Sequence, residues 1–241
     1  MAELRIGTAG WSVPAAVADR FPSEGTALER YAARFRGAEI NSSFHRAHRP
    51  GTWERWAAAV PDGFLFSAKL LKEITHVRRL AACSGELERA IAEMRLLGPK
   101  LAVVLVQLPP SLAFDSEVAA AFLTELRRLW GGDVALEPRH ASWFEADADD
   151  LLVAHRVARV AADPERVPGA AQPGGWGELA YFRLHGSPVP YRSSYDDGRL
   201  EGYADAIARC GAKRVWCIFD NTASSAAGSD ALKLLELLAA S

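Results

Sequence analysis

The sequence predicts an α/β fold, a single (β/α)8 TIM-type barrel spanning residues 1–241, and three observations carry that prediction. Short apolar or β-branched runs alternate with amphipathic stretches along the whole chain, the pattern of parallel strands joined by crossover helices. Eight such runs occur in 241 residues, a length that suits one undivided barrel better than an open sheet. No internal repeat, low-complexity tract or linker divides the chain.

The predicted strands are 4–8, 38–41, 64–69, 101–107, 134–137, 159–163, 179–184 and 214–219. Before the second strand, Leu28, Tyr31 and Phe35 fall on one helical face, and Leu87, Ile91, Met94 and Leu97 do the same before the fourth. The clearest helix follows the fourth strand, where Val118, Phe122, Leu126 and Leu129 are spaced by four, four and three. Leu232, Leu235 and Leu238 close the chain on a last helix. The sixth crossover departs from the pattern: residues 168–177 carry Pro168, Gly174, Gly175 and Gly177 with no helical period, which predicts a loop. The acidic stretch 145–150 reads as a helix first turn or a solvated face.

Composition narrows the class of function. Hydrophobic residues at 49% and charged residues at 24% are ordinary for a globular domain. Lys and Arg number 28 against 30 Asp and Glu, a net charge of −2, so no global positive field collects nucleic acid or anionic lipid. Cys83, Cys210 and Cys217 are odd in number and form no CxxC pair, which fits small buried hydrophobes in a reducing compartment. The first residues show no basic region followed by an apolar core, and the apolar runs fall short of the ~20 residues a membrane span requires. The expectation is a cytoplasmic protein with no membrane partner; the sequence leaves its oligomeric state open.

In a barrel of parallel strands, helices cover one face and side chains fill the other, so polar residues should appear only where strands end. They do so here on seven of the eight predicted strands. Glu39 and Asn41 end the second, Lys69 the third, Gln107 the fourth, and Glu137 and Arg139 flank Pro138 at the fifth. Asp163 ends the sixth, Arg183 and His185 the seventh, and Asp220 and Asn221 follow the eighth. Any one of them is explained by a strand-capping salt bridge. Together on one rim they would be costly to desolvate without water or a ligand to satisfy them, which makes the rim a candidate site.

The same residues carry a family resemblance. Gly7-Thr8-Ala9-Gly10-Trp11, Glu39-Ile40-Asn41-Ser42-Ser43-Phe44, Phe66-Ser67-Ala68-Lys69, Thr75-His76, Val106-Gln107-Leu108-Pro109-Pro110-Ser111, Glu137-Pro138-Arg139-His140-Ala141-Ser142-Trp143, Tyr181-Phe182-Arg183-Leu184-His185-Gly186 and Phe219-Asp220-Asn221 occur in this order. Together they resemble the YecE-like family, domain of unknown function number 72. The resemblance implies a TIM-type barrel and no assigned activity. The family pattern has an aromatic followed by Tyr-Arg where this chain reads Phe44-His45-Arg46, and Phe-Asn-Asn where it reads Phe219-Asp220-Asn221. His45 and Asp220 therefore stand outside the expected site, while Arg46 and Asn221 match.

From the residue types, the chain reads as an enzyme acting on a small polar substrate, anionic or sugar-like, at the carboxyl-end mouth of the barrel. Lys69, Arg139 and Arg183 are expected to hold anionic oxygens. Glu137, Asp163, His185 and, after the third strand, His76 are the expected proton-transfer groups. Glu39, Asn41, Gln107, Tyr195 and Asn221 complete the expected binding set. His140 is as well suited to orienting a loop, and His48 and His155 read as surface residues. No P-loop, G-x-G-x-x-G, H-E-x-x-H or G-x-S-x-G motif is present, and no cofactor is expected.

Two other classes compete. A nucleic-acid or repair role would use Arg34, Arg36, Arg46, Arg49 and Arg55 beside Trp53 and Trp56, against the net charge. A non-catalytic barrel using the rim as a receptor pocket would look the same in sequence. Glu137, Asp163, His185 and Asp220 also suggest the divalent-metal shell of sugar isomerases on this fold. Arg139 and Arg183, two residues away on the same sides, would repel such an ion, so a metal-independent site is expected.

Overall fold

The computed structural model describes residues 2–240. In chain order the elements are β1 (Glu3–Thr8), α1 (Ala27–Ala32), β2 (Gly37–Ile40), α2 (Pro50–Ala58), β3 (Leu65–Lys69), α3 (Ser84–Met94), β4 (Leu101–Gln107), α4 (Ser116–Leu129) and β5 (Asp133–Glu137). They continue with α5 (Ala146–Ala154), β6 (Val157–Arg159), β7 (Ala161–Asp163), β8 (Gly174–Gly175), β9 (Leu179–Leu184), α6 (Asp197–Arg209), β10 (Arg214–Phe219) and α7 (Ala226–Ala240). Local chemistry explains the helix boundaries. Thr26 and Glu29 form a reciprocal capping box at α1, and the Asp115 and Asp196 carboxylates accept amide hydrogens at the starts of α4 and α6. Pro50 occupies the first turn of α2, where its missing N–H costs nothing.

The strands form two sheets, β1-β10-β9-β7 and β2-β3-β4-β5-β6-β8, and every pairing is parallel except β6 with β8. The fold is thus mixed α/β with parallel sheets, and its hydrogen-bonded ladder divides in two places where one continuous ring is expected from the sequence. The first division falls inside the predicted strand 159–163. Val157–Arg159 pairs with β5 and with the short antiparallel β8, whereas Ala161–Asp163 pairs with β9. One run of chain therefore belongs to both sheets, with Val160 donating its amide to Leu136 at 2.9 Å between them. The chain from β7 to β8 makes no helix.

The second division lies between β1 and β2, which meet at the single bridge Ala9–Glu39. Below it the Tyr31 hydroxyl stands between the strands, accepting from the Thr8 amide at 2.8 Å and donating to the Gly37 carbonyl at 3.2 Å. A side chain here replaces a backbone-to-backbone bond. The strands still run close: a Cβ on Gly7 would lie 2.1 Å from the Gly37 carbonyl oxygen, so no other residue fits.

Two apolar cores follow from the period-2 alternation of the strands. One, between strands and helices, takes Phe66, Val104, Val106, Leu136, Phe182 and Phe219 together with the helix faces of Leu87, Ile91, Leu123 and Leu126. The other takes the opposite faces of strands from both sheets: Val103, Leu105, Ala135, Ala158, Val160, Leu179, Tyr181, Trp216 and Ile218. Tyr181 and Trp216 stack there with centroids 6.1 Å apart. Since both faces of the strands are buried, a polar group on the inner face is costly unless another such group pairs with it.

Candidate functional site

Following the inner face toward the strand carboxyl ends, the alternation that supplies apolar residues below delivers ionisable ones above. Glu39 follows Gly37, Lys69 follows Ser67, Glu137 follows Ala135, Arg183 follows Tyr181 and Asp220 follows Ile218, each two residues on. Arg183 is the hub and is fully buried. Its Nε donates to Glu39 Oε2 at 3.0 Å, and its Nη2 donates to Glu39 Oε1 at 2.7 Å and to Asp220 Oδ2 at 3.0 Å. Its Nη1 donates to Glu137 Oε2. Tyr181 donates to Glu39 Oε2 at 3.0 Å and lies 2.6 Å from Ser67 Oγ, closing the network from below. Burying one guanidinium alone would cost several kcal/mol, and three carboxylates bound to it offset that cost.

The network extends toward the rim through Arg139 and His185. Arg139 Nε donates to Glu137 Oε1 at 2.9 Å, and its Nη2 lies 3.4 Å from the Tyr191 hydroxyl. His185 Nδ1 meets Asp220 Oδ2 at 3.0 Å. Its Nε2 is 3.3 Å from Glu137 Oε1, within ion-pair range, but this buried nitrogen makes no hydrogen bond. Glu137, Arg139, His185 and Tyr191 line a cavity of about 20 Å³, room for one water molecule.

The charges settle as this geometry requires. Burial pushes the Glu137 and Asp220 carboxyls up, yet Arg183 and the neighbouring Arg139 and His185 outweigh it, holding Glu137 well below the usual range and Asp220 below it. Burial disfavours charge on His185, but Glu137 and Asp220 raise its pKa. Both carboxylates are therefore ionised at neutral pH.

Lys69 behaves differently. Among the buried charged side chains of the described residues it alone has neither an ion pair nor a hydrogen bond; its Nζ sits 4.1 Å over the Phe44 ring. Burial and the Arg183 charge lower its pKa to about 8 against the pull of Glu39, Glu137 and Asp220. His76 packs edge-on to the same ring at 5.0 Å, on a wide helical turn, Glu73–Val77, and shares a hydrogen bond of 2.9 Å with Thr75. Burial and the charges of Lys69, Arg139 and Lys72 lower its pKa, so it is mainly neutral near pH 7.

The structure therefore gathers Glu39, Lys69, His76, Glu137, Arg139, Arg183 and His185 of the expected residues. Arg183, expected to grip substrate, is instead enclosed by carboxylates. Asp163 points the other way: the inner face of its run is Ala158 and Val160, one residue out of phase with it, and its carboxylate accepts from Tyr195 at 2.7 Å and Arg199 at 2.9 Å. Tyr195 is thereby committed to Asp163 and to the Gly186 amide, 2.8 Å away. Asn221 likewise turns outward, its Nδ2 donating to Ser193 O at 2.9 Å and Asp230 Oδ2 at 2.6 Å. Gln107 lies on the inner face but donates to its neighbour's carbonyl, Leu108 O, at 3.1 Å. Asn41 stands apart beside Trp11, its Oδ1 buried without a partner.

Asp220, set outside the site by its departure from the family pattern, lies at the centre. Tyr181, Ser67, Phe44 and Tyr191 were not anticipated. The first two carry a readable signal, two residues before Arg183 and Lys69 on the same face. The quartet that suggested a metal shell does not converge, because Asp163 faces outward and Arg183 stands between Glu137 and Asp220; among the described residues no group of three or more His, Cys, Asp or Glu side chains is arranged to hold a metal ion. Trp53 is buried at 1% exposure, which removes it from any base-stacking surface, and the three cysteines are free thiols. No helix among the described residues is long and apolar enough to cross a membrane.

Parallel sheets under helices, with an ionisable cluster at the carboxyl ends of the strands, define a mixed α/β protein with a candidate site at its strand rim. The chain belongs to the family described as "Protein of unknown function DUF72", whose profile matches residues 5–241. It is 30% identical over 142 residues to the YecE protein of Escherichia coli strain K12 and 28% identical over 147 residues to YunF of Bacillus subtilis strain 168. Each match covers 58% of this chain and about half of the relative, 50% and 52% respectively. Crystal structures of DUF72 family proteins from Enterococcus faecalis and Thermotoga maritima share the fold. Their TM-scores are 0.80 and 0.78 at 20% and 22% identity, covering 99% and 98% of this chain and 96% and 99% of theirs.

Proposed function

We propose that this protein is an enzyme that takes a small anionic substrate at the carboxyl-end rim, and that the two sheets act together as one barrel presenting that rim. The observation that carries the reading is Lys69, a buried cation left without a partner in a cluster where every other charge is paired. Three carboxylates, Glu39, Glu137 and Asp220, balance three cations, Lys69, Arg139 and Arg183. A protonated His185 adds one positive charge, which an anion completes. Arg139 and Lys69 face the substrate, while Arg183 fixes the carboxylates. His185, joining Glu137 and Asp220, and the neutral His76 are the proton carriers. A receptor without turnover would use the same charges, and turnover separates the two.

The test has two arms. Thermal shift with phosphate, sulfate, malonate and citrate is expected to show stabilisation that falls with salt and is lost in Arg139→Met. Incubation with a small-metabolite extract, followed by mass spectrometry, is expected to show an anionic species consumed by the wild type and spared by Glu137→Gln. Absence of stabilisation by any anion, together with an unchanged extract, overturns the reading.

A further inference from the structure

The rim contains several hydroxyl, carboxylate and amine groups that chemistry allows as nucleophiles, and among the buried ones partners eliminate all but one. Ser67 is bound to Tyr181, and Tyr181 to Glu39. The Ser43 hydroxyl donates to the carbonyls of Ile40 and Lys69. Glu39, Glu137 and Asp220 are committed to Arg183. The Lys69 amine has no polar partner, lies on the inner face at the end of its strand, and rests against the face of an aromatic ring. An amine that only anchors an anion gains from neighbouring cations being absent. Here the guanidinium of Arg183 adds to burial in favouring the neutral form, the two conditions that make a lysine nucleophilic.

We propose that Lys69 forms a Schiff base with an aldehyde or ketone carbonyl carried by the substrate, which makes the substrate class a small carbonyl-bearing anion such as an oxoacid. This rests on the anion-binding reading above. The Lys69 ammonium first loses a proton to His76, which packs on the same Phe44 ring and is mainly neutral. The nitrogen lone pair attacks the carbonyl carbon, the C=O π pair moves to oxygen, and proton transfer from nitrogen gives the neutral carbinolamine. His76 returns its proton to the hydroxyl, which leaves as water while the nitrogen lone pair forms C=N. One ammonium and one carbonyl thus yield one protonated imine and one water, with no oxidant or reductant. Arg139, whose charge acts on His76 together with that of Lys69, is the cation assigned to the carboxylate of such a substrate.

The experiment is reductive trapping at pH 7.5 with glyoxylate, and separately pyruvate, in the presence of sodium cyanoborohydride, read by intact mass and peptide mapping. Lys69 is expected to be modified about ten-fold or more faster than the exposed Lys213, as the lowered pKa of Lys69 requires. The rate should fall in Arg139→Met, and Lys69→Arg should give no adduct at position 69 while keeping the fold. Equal or slower modification of Lys69 relative to Lys213 with both oxoacids overturns the proposal. Malonate and phosphate, which carry no trappable carbonyl, separate the two readings. If they still stabilise the protein while Lys69 is not trapped, the nucleophile assignment fails and the anion site stands; if neither effect is seen, both fail.

Discussion

Two buried polar networks lie back to back on the same strand ends, and they are built to different rules. The outer one ties Asp163 to Tyr195 and Arg199, and Asp230 to Asn221, Ser194 and the Tyr195 amide, so that loops 186–196 and 221–226 are fastened to the strands and to α7. Its carboxylate oxygens all find hydrogen bonds within the protein, so its charges are closed even though the neutral Asn221 Oδ1 has no partner. The inner network is richer in charge and incomplete: Lys69 is unpaired and His185 Nε2 has no acceptor. A closed network contributes stability and specifies loop geometry; one left open tolerates unfavourable energy that a ligand relieves. The contrast fits anchoring at the outer face and supports placing the proposed chemistry at the inner one.

The most severe way to break the comparison is to remove the hub. Arg183→Met leaves three buried carboxylates without their cation and should destabilise the protein by about 3–5 kcal/mol or more, measured by chemical denaturation. A loss no greater than that of a surface substitution would show that the inner charges are solvated. Second, Asp230→Ala strips the acceptor from Ser194, Asn221 and the Tyr195 amide. It should cost about 2–3 kcal/mol while leaving phosphate and malonate binding at the rim within a few-fold of wild type.

The third prediction has the opposite sign. Lys69 has its folded pKa lowered to about 8, so between that value and its unfolded pKa near 10.4 the unfolded chain binds more protons and stability rises with pH. At neutral pH the charged amine is therefore a burden. Lys69→Met should stabilise the fold by about 1–3 kcal/mol at pH 7, and the gain should shrink as pH rises from about 8 toward 10. A destabilised Lys69→Met would place this residue in the same structural class as Asp230.

The smallest effect concerns His185. Its folded pKa is raised, so its contribution is full below about 6.5, the unfolded value, and is lost as pH rises through the folded one. The carboxylates oppose it: Glu137 and Asp220 are lowered, so their contribution is present above about 4 and disappears as pH falls through their folded values. The stability difference between wild type and His185→Gln should thus be larger at pH 5.5 than at pH 8.5, by denaturation at both values.

Period and parity account for what the sequence revealed and what it hid. The strand runs and the helices of Leu87 and Val118 were legible because burial imposes its spacing on every residue of the element. Glu39, Lys69, Glu137, Arg139, Arg183 and His185 were legible as polar residues ending buried strands. Asp163 and Asn221 ended strands too, and only their phase relative to Val160 and Ile218 turned them outward; that phase depends on where each strand ceases, which neighbouring chains decide. The division of strand 159–163 between two sheets was hidden for the same reason. Arg183 was legible as a cation but not as an enclosed one, since its partners Glu39, Glu137 and Asp220 come from three other strands.

The Tyr31 hydroxyl between β1 and β2 gives the molecule a timekeeper of its own. Amides of β10, flanked by β1 and β9, are protected by backbone ladders on both sides and should exchange with solvent deuterium only as the whole domain opens. The Thr8 amide has a phenol for its acceptor, and that phenol is positioned by the packing of its ring on Phe35 and Phe64. Its exchange clock is therefore set by the repacking of three aromatic rings, and Tyr31→Phe should reset that clock for Thr8 while leaving the β10 amides the slowest to exchange.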